Sequence, residues 1–133
     1  MKALSLWQPW ASYVALGMKR YETRSWGTDY RGPLAIHAAR RELGMTERLL
    51  LSRRPLPYGS GEMPFGALVA TCELVDCLRM TPAIVGDRPP LELELGDWRV
   101  GRFAWVLVNV VRIEPFFAPG SRGLWEWDLP IRT

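Results

Sequence analysis

The stretch Leu6 to Trp26, LWQPWASYVALGMKRYETRSW, holds three tryptophans (Trp7, Trp10, Trp26), an amide (Gln8), two adjacent cations (Lys19, Arg20) and the charged cluster Glu22-Thr23-Arg24. An ordinary core segment has no use for this mixture. Pro9 suits a first helical turn, where its missing N–H costs nothing. Trp10, Tyr13, Val14 and Met18 recur at helical spacing, and Gly17 is placed to stop the helix, so the pattern predicts a short amphipathic helix over residues 9–16. YETRSW then alternates. In an extended segment Glu22, Arg24 and Trp26 point one way, and Tyr21, Thr23 and Ser25 the other. A carboxylate, a guanidinium and an indole on one face suit a planar polar ligand. The same residues also fit an internal ion pair capped by a core tryptophan.

Outward from this stretch, strand signals dominate. KALSL (residues 2–6) is a short first strand. RGP (31–33) leads into LAIHAA (34–39), with Leu34, Ile36 and Ala38 on one face and Ala35, His37 and Ala39 on the other. Residues 40–54 are basic and helix-prone, with Thr46 a possible cap for a helix to about Ser52. Their arginines either touch phosphates or solvate a surface helix. PLPYGSGEMP (55–64) reads as a mobile loop of the kind that borders clefts. FGALVATCELVDCL (65–78) is a long buried strand. LELEL (91–95) alternates like an acidic edge strand ending at a Gly96-Asp97 turn, and RFAWVLVNVVRIEP (102–115) is the strongest strand of all. LWEWDL (124–129) closes the chain. Turns separate the strands and no βαβ alternation appears. The expected fold is therefore mainly β (α+β): a small barrel of five to six mixed or antiparallel strands with short helices at its flank.

The chain has 133 residues, 48% hydrophobic and 23% charged, which predicts one globular domain, 1–133. A net charge of +3 is compatible with a polyanionic partner without demonstrating one. No run is long and apolar enough for a membrane span, and MKALSLWQPW lacks a signal-peptide apolar region, so a cytoplasmic location is expected. Two cysteines (Cys72, Cys77) and one histidine cannot build a usual structural zinc site, and they read as thiols in a reducing compartment. No metal site and no cofactor is implied. Of the 17 basic residues only Lys2 and Lys19 are lysines, and Gln8, Asn109 and His37 are each the sole residue of their type. Many Arg and Pro with few Asn and Gln fit a thermophile or a GC-rich genome. The survival of Lys19 and Gln8 in the opening stretch argues weakly that both have jobs, against chance.

Gln8-Pro9-Trp10, Gly17-Met18-Lys19-Arg20, Glu22-Thr23-Arg24-Ser25-Trp26, the run Arg31 to Ala39 (RGPLAIHAA) and Gly123-Leu124-Trp125-Glu126 together resemble the ASCH domain family. The most characteristic piece is G-x-K-x-x-E-x-R: Gly17, Lys19, Glu22 and Arg24. The resemblance implies a PUA-like pseudo-barrel and a cleft floored by these residues, binding RNA or modified nucleosides. Some family members resemble amidohydrolases that remove the acetyl group of N4-acetylcytidine with a Lys, a Thr three residues later and a distant Glu. Lys19 matches the lysine. Glu22 stands at the threonine position, with Thr23 one place on, and no distant Glu is carried over. A ribonuclease activity is also associated with the family, and no residue here is assigned to it.

For nucleobase binding, Trp10, Trp26 and Trp125 are candidate stacking surfaces, while Gln8, Glu22 and Arg24 read base edges. Arg31, Arg40 and Arg41 are candidate phosphate ligands. His37 is either a hydrogen-bonded core group or a site residue with room around it. If the chain is an enzyme, Lys19, Glu22 and Thr23 are the catalytic candidates, with Lys19 and Glu22 the defensible acid–base pair. Trp105 and Trp127 are the expected core tryptophans.

Overall fold

The computed structural model describes residues 1–59 and 61–127. Six strands form one sheet in the order β2-β5-β4-β3-β1-β6. The strands are β1 (Lys2–Leu6), β2 (Tyr21–Arg24), β3 (Gly32–Ala38), β4 (Ala67–Arg79), β5 (Phe103–Phe117) and β6 (Leu124–Glu126). β1 runs parallel to β3, and the remaining neighbours are antiparallel, so the sheet is mixed. It curls into the half-barrel of a PUA-like fold, as expected.

The curl has a sequence cause. The register between β4 and β5 slips at three places. At one of them β5 carries an extra residue opposite Cys72, and Asn109 there adopts φ 52°. Asparagine tolerates this left-handed conformation far better than a branched residue, so the chain's sole asparagine sits at the bulge that bends its longest strand. Another slip spans Pro115, which has no N–H to give to the ladder.

The core lies between the sheet and helix α1 (Trp10–Ala15). Leu4, Leu6, Leu34, Ile36, Val69, Leu74, Trp105 and Leu107 pack against Ala11, Val14 and Ala15 of the helix. Trp105 is fully buried, and Trp127 packs half-buried against a smaller cluster around Ala3, Ala35 and Leu68. Cys72 and Cys77 are both free thiols; Cys72 is buried, which pushes its pKa up to about 12. No helix among the described residues is long and apolar enough to cross a membrane.

Three expectations change. LELEL is not an edge strand but part of helix α4 (Pro90–Leu95). The proline pair Pro89-Pro90 starts it, with Pro90 in the first turn where its fixed φ helps. Leu91 and Leu95, four apart, then face the cluster around Tyr13 and Leu50. Thr46 does not cap α2 (Met45–Arg53). Gly44 does, and its N–H donates to Glu47 Oε1 at 2.9 Å. The closing strand ends at Glu126; Asp128 and Leu129 lie outside the described residues. A five-residue helix α3 (Pro82–Gly86), capped by Thr81, was not read from the sequence.

Candidate nucleobase cleft

Helix α1 ends at Gly17, whose φ of 77° lets the chain fold back so that the N–H groups of Met18 and Lys19 both donate to the Tyr13 carbonyl. After this reversal Lys19 is buried and β2 begins at Tyr21. Ser5, Leu6, Trp7 and Trp10 from the first stretch then face Lys19, Glu22, Thr23 and Arg24 across a cleft of about 480 Å³. Glu94, Leu95, Gly96, Asp97 and Arg102 complete it.

At the floor, Glu22 and Lys19 are buried, at 8% and 1% exposure. Glu22 Oε2 accepts from Arg24 Nε at 3.0 Å, and Glu22 Oε1 lies 3.8 Å from Lys19 Nζ. Lys19 Nζ also donates to the Tyr21 carbonyl. Burial pushes the Lys19 pKa down, against the pull of the Glu22 and Glu92 carboxylates. Glu92 is itself buried. Its Oε2 accepts from the Arg20 N–H at 2.8 Å, and its Oε1 has no partner among the described residues. Arg24 Nη2 donates to the Ser5 carbonyl at 2.6 Å. The internal Glu22–Arg24 ion pair, the alternative to a ligand-facing pair in the sequence reading, therefore forms, and both members still border the cleft.

The walls come from elements whose roles the sequence left open. Trp7 is exposed at the mouth, with the Arg41 guanidinium 3.7 Å above its ring centroid, a cation–π contact. Arg41 in turn donates to Glu47 of α2 at 2.7 Å. Arg54 grips Glu94 with two guanidinium nitrogens, at 2.8 and 3.1 Å. Two arginines of the basic segment thus hold cleft-lining residues in place. Thr23 Oγ1 accepts from the Asp97 N–H at 3.0 Å, which leaves the hydroxyl proton free to donate into the cleft.

Several site candidates lie elsewhere. Gln8 is 1% exposed; its amide donates to the Pro64 carbonyl at 2.8 Å and accepts from the Ser12 N–H at 3.0 Å. Its job is to tie α1 to the loop before β4. Trp26 falls beyond the end of β2, so alternation no longer aims it; it packs edge-to-face on Trp105 at 4.9 Å. Arg31 is exposed and pairs with Asp76 at 3.5 Å. His37 lines a different cavity, on the other side of β1, and Trp125 packs edge-to-face against it at 5.6 Å. The residues missed by sequence reasoning are Trp7 as a wall, and Glu94, Asp97 and Arg102. Glu94 reaches the cleft from a helix that period-2 leucines disguised as a strand, and Asp97 and Arg102 reach it from the turn and connection that follow.

The curled mixed sheet with its few short helices is a PUA-like pseudo-barrel. The sequence profile of the ASCH domain matches residues 4–117, and the chain belongs to the ASCH domain family, a nucleic-acid-binding or RNA-associated family. It is also similar to Activating signal cointegrator 1 of Homo sapiens and of Mus musculus, in each case 41% identical over 86 residues. That match covers 56% of this chain and 14% of either relative, so the chain spans only a small part of their length.

Proposed function

We propose that the chain is a single-domain binding module for RNA or a modified nucleoside, and that a nucleobase occupies the cleft around Gly17, Lys19, Glu22 and Arg24. The observation that carries this reading is the charge balance of the cleft. Three cations (Lys19, Arg24, Arg102) meet three carboxylates (Glu22, Glu94, Asp97), flanked by two indoles (Trp7, Trp10). A phosphate would be repelled by those carboxylates, whereas a base edge needs donors and acceptors together. Its size fits too, since small-ligand sites commonly hold ~300–1,000 Å³. Glu22 accepts from an exocyclic amine, Arg24 donates to a carbonyl or ring nitrogen, and the indoles stack.

The test is titration of cytidine, N4-acetylcytidine and short single-stranded RNAs, read by tryptophan fluorescence. Saturable binding that disappears in Arg24→Ala supports the reading. If no nucleoside or RNA binds, it fails.

One observation favours a second reading, a metal-independent amidohydrolase. Lys19 is buried with a lowered pKa beside Glu22, and the Thr23 hydroxyl is free to donate. In this chemistry water adds to the acetyl carbon of N4-acetylcytidine, the C–N bond breaks, and acetate and cytidine leave. Lys19 or Glu22 takes the proton from water and returns it to the departing amine. Release of acetate that stops in Lys19→Ala would establish it, and binding without turnover would exclude it. No residue of the cleft favours the ribonuclease reading.

A further inference from the structure

Across β1 from the nucleobase cleft lies a larger cavity of about 670 Å³, lined by Ser5, His37, Arg40, Phe117, Pro119 and Arg122 among others. We propose that this cavity is the subsite for the adjoining phosphate and base of a single-stranded RNA. The ligand is then an oligonucleotide laid across β1 rather than a free nucleoside. This rests on the nucleobase reading of the first cleft.

The two cavities differ in charge. The first is balanced, but the second has two arginines and no carboxylate in its lining. Among the described residues neither the Arg40 nor the Arg122 side chain has an ion-pair or hydrogen-bond partner; other arginines share that state, but these two line the cavity, whereas both arginines of the first cleft, Arg24 and Arg102, are paired with carboxylates. The Arg40 side chain passes close to Gly66. A Cβ added at Gly66 would come within 3.2 Å of Arg40 Nε, so the side chain lies along bare backbone. Two unpaired guanidiniums in a cavity without acids are a phosphate site. The apolar part of the lining includes Phe117, 73% exposed and available for a base to stack upon.

Ser5 borders both cavities. Its carbonyl accepts from Arg24 on the cleft side. On the other side its hydroxyl lies 3.0 Å from His37 Nδ1. His37 Nε2 lies 2.8 Å from the Ala118 carbonyl, which only accepts, so Nε2 carries the proton and Nδ1 accepts from Ser5. Ser5 is the residue the two linings share, and a nucleotide chain crossing it would pass from base-reading groups to phosphate-holding ones.

The experiment compares cytidine with a single-stranded tetranucleotide on the wild-type chain, on Arg40→Gln/Arg122→Gln and on Phe117→Ser; all three positions are exposed, and melting curves check folding. The expected result is unchanged cytidine affinity in both variants. Tetranucleotide affinity falls about tenfold or more in each, and in the double variant its salt dependence becomes shallower by about 0.7 per lost phosphate contact. Tetranucleotide binding and salt slope identical to wild type overturn the proposal. Failure of the first cleft shows differently: cytidine does not bind and Arg24→Ala leaves tetranucleotide binding intact. That outcome also removes the continuous path across β1, and with it the proposal.

Discussion

Arg24 Nη2 donates to the Ser5 carbonyl at 2.6 Å, although the two residues sit on strands β2 and β1, separated in the sheet by three others. The contact is possible only because the sheet curls, and it closes the gap of the half-barrel while Arg24 Nε holds Glu22. Arg24 uses two separate nitrogens for these contacts, and a lysine, whose three N–H groups sit on one nitrogen, cannot reproduce both contact points. Arg24→Lys should weaken nucleoside binding by ~1–3 kcal/mol. It should also destabilise the fold by ~1 kcal/mol. Calorimetric titration and urea unfolding measure the two effects.

The positions of the indoles separate wall from scaffold. Trp7→Ala should cost ~1–3 kcal/mol of base stacking. Trp26→Ala should leave nucleoside affinity unchanged and lower the melting temperature, because Trp26 packs on Trp105 outside the cleft. Equal losses of affinity in both variants would contradict this assignment.

Burial lowers the Lys19 pKa below its ordinary 10.5. Between the lowered folded value and 10.5 the unfolded chain binds more protons, so Lys19 makes stability rise with pH across that window. Above pH 9 the Cys72 thiol and above pH 10 the Tyr13 phenol, both raised to about 12, act in the opposite sense. Urea melts up to pH 9 should show the rise in the wild type and a flatter profile in Lys19→Met.

His37 behaves in parallel at lower pH. Burial pushes its pKa below 6.5, opposed by the Ala118 hydrogen bond. As the pH falls from 6.5 through the folded value, the unfolded chain takes up the proton first and stability is lost. His37→Gln should flatten the fall between pH 6.5 and 5 in thermal melts, while nucleoside affinity at pH 7.5 stays unchanged.

Gln8→Leu should destabilise by ~1–3 kcal/mol per buried group left unpaired, here the Ser12 N–H and the Pro64 carbonyl. Nucleoside affinity measured on the folded fraction should not change. A loss of affinity at full stability would return Gln8 to the ligand.

Much of the fold was legible because β-strands announce themselves locally. The branched and aromatic runs at 65–78 and 102–115 became β4 and β5, and Gly17 marked the end of α1 where it was expected. The acidic leucine repeat misled because leucines two apart also supply a pair four apart, and only packing against Tyr13 and Leu50 selects the helix. The site was half legible for the same reason. Lys19, Glu22, Thr23 and Arg24 lie close in the chain and share one turn and strand.

By itself, then, the sequence determined the strand-rich class, the reversal at Gly17 and the placing of Glu22 and Arg24 on one face, all set by backbone preferences and neighbours a few residues apart. Only the tertiary structure decided that Gln8 is buried between Pro64 and Ser12, that Trp7 rather than Trp26 lines the cleft, and that His37 lines a second cavity. Those outcomes depend on how far the sheet curls and where strand β2 ends, which are set by bulges and by contacts between residues distant in the chain.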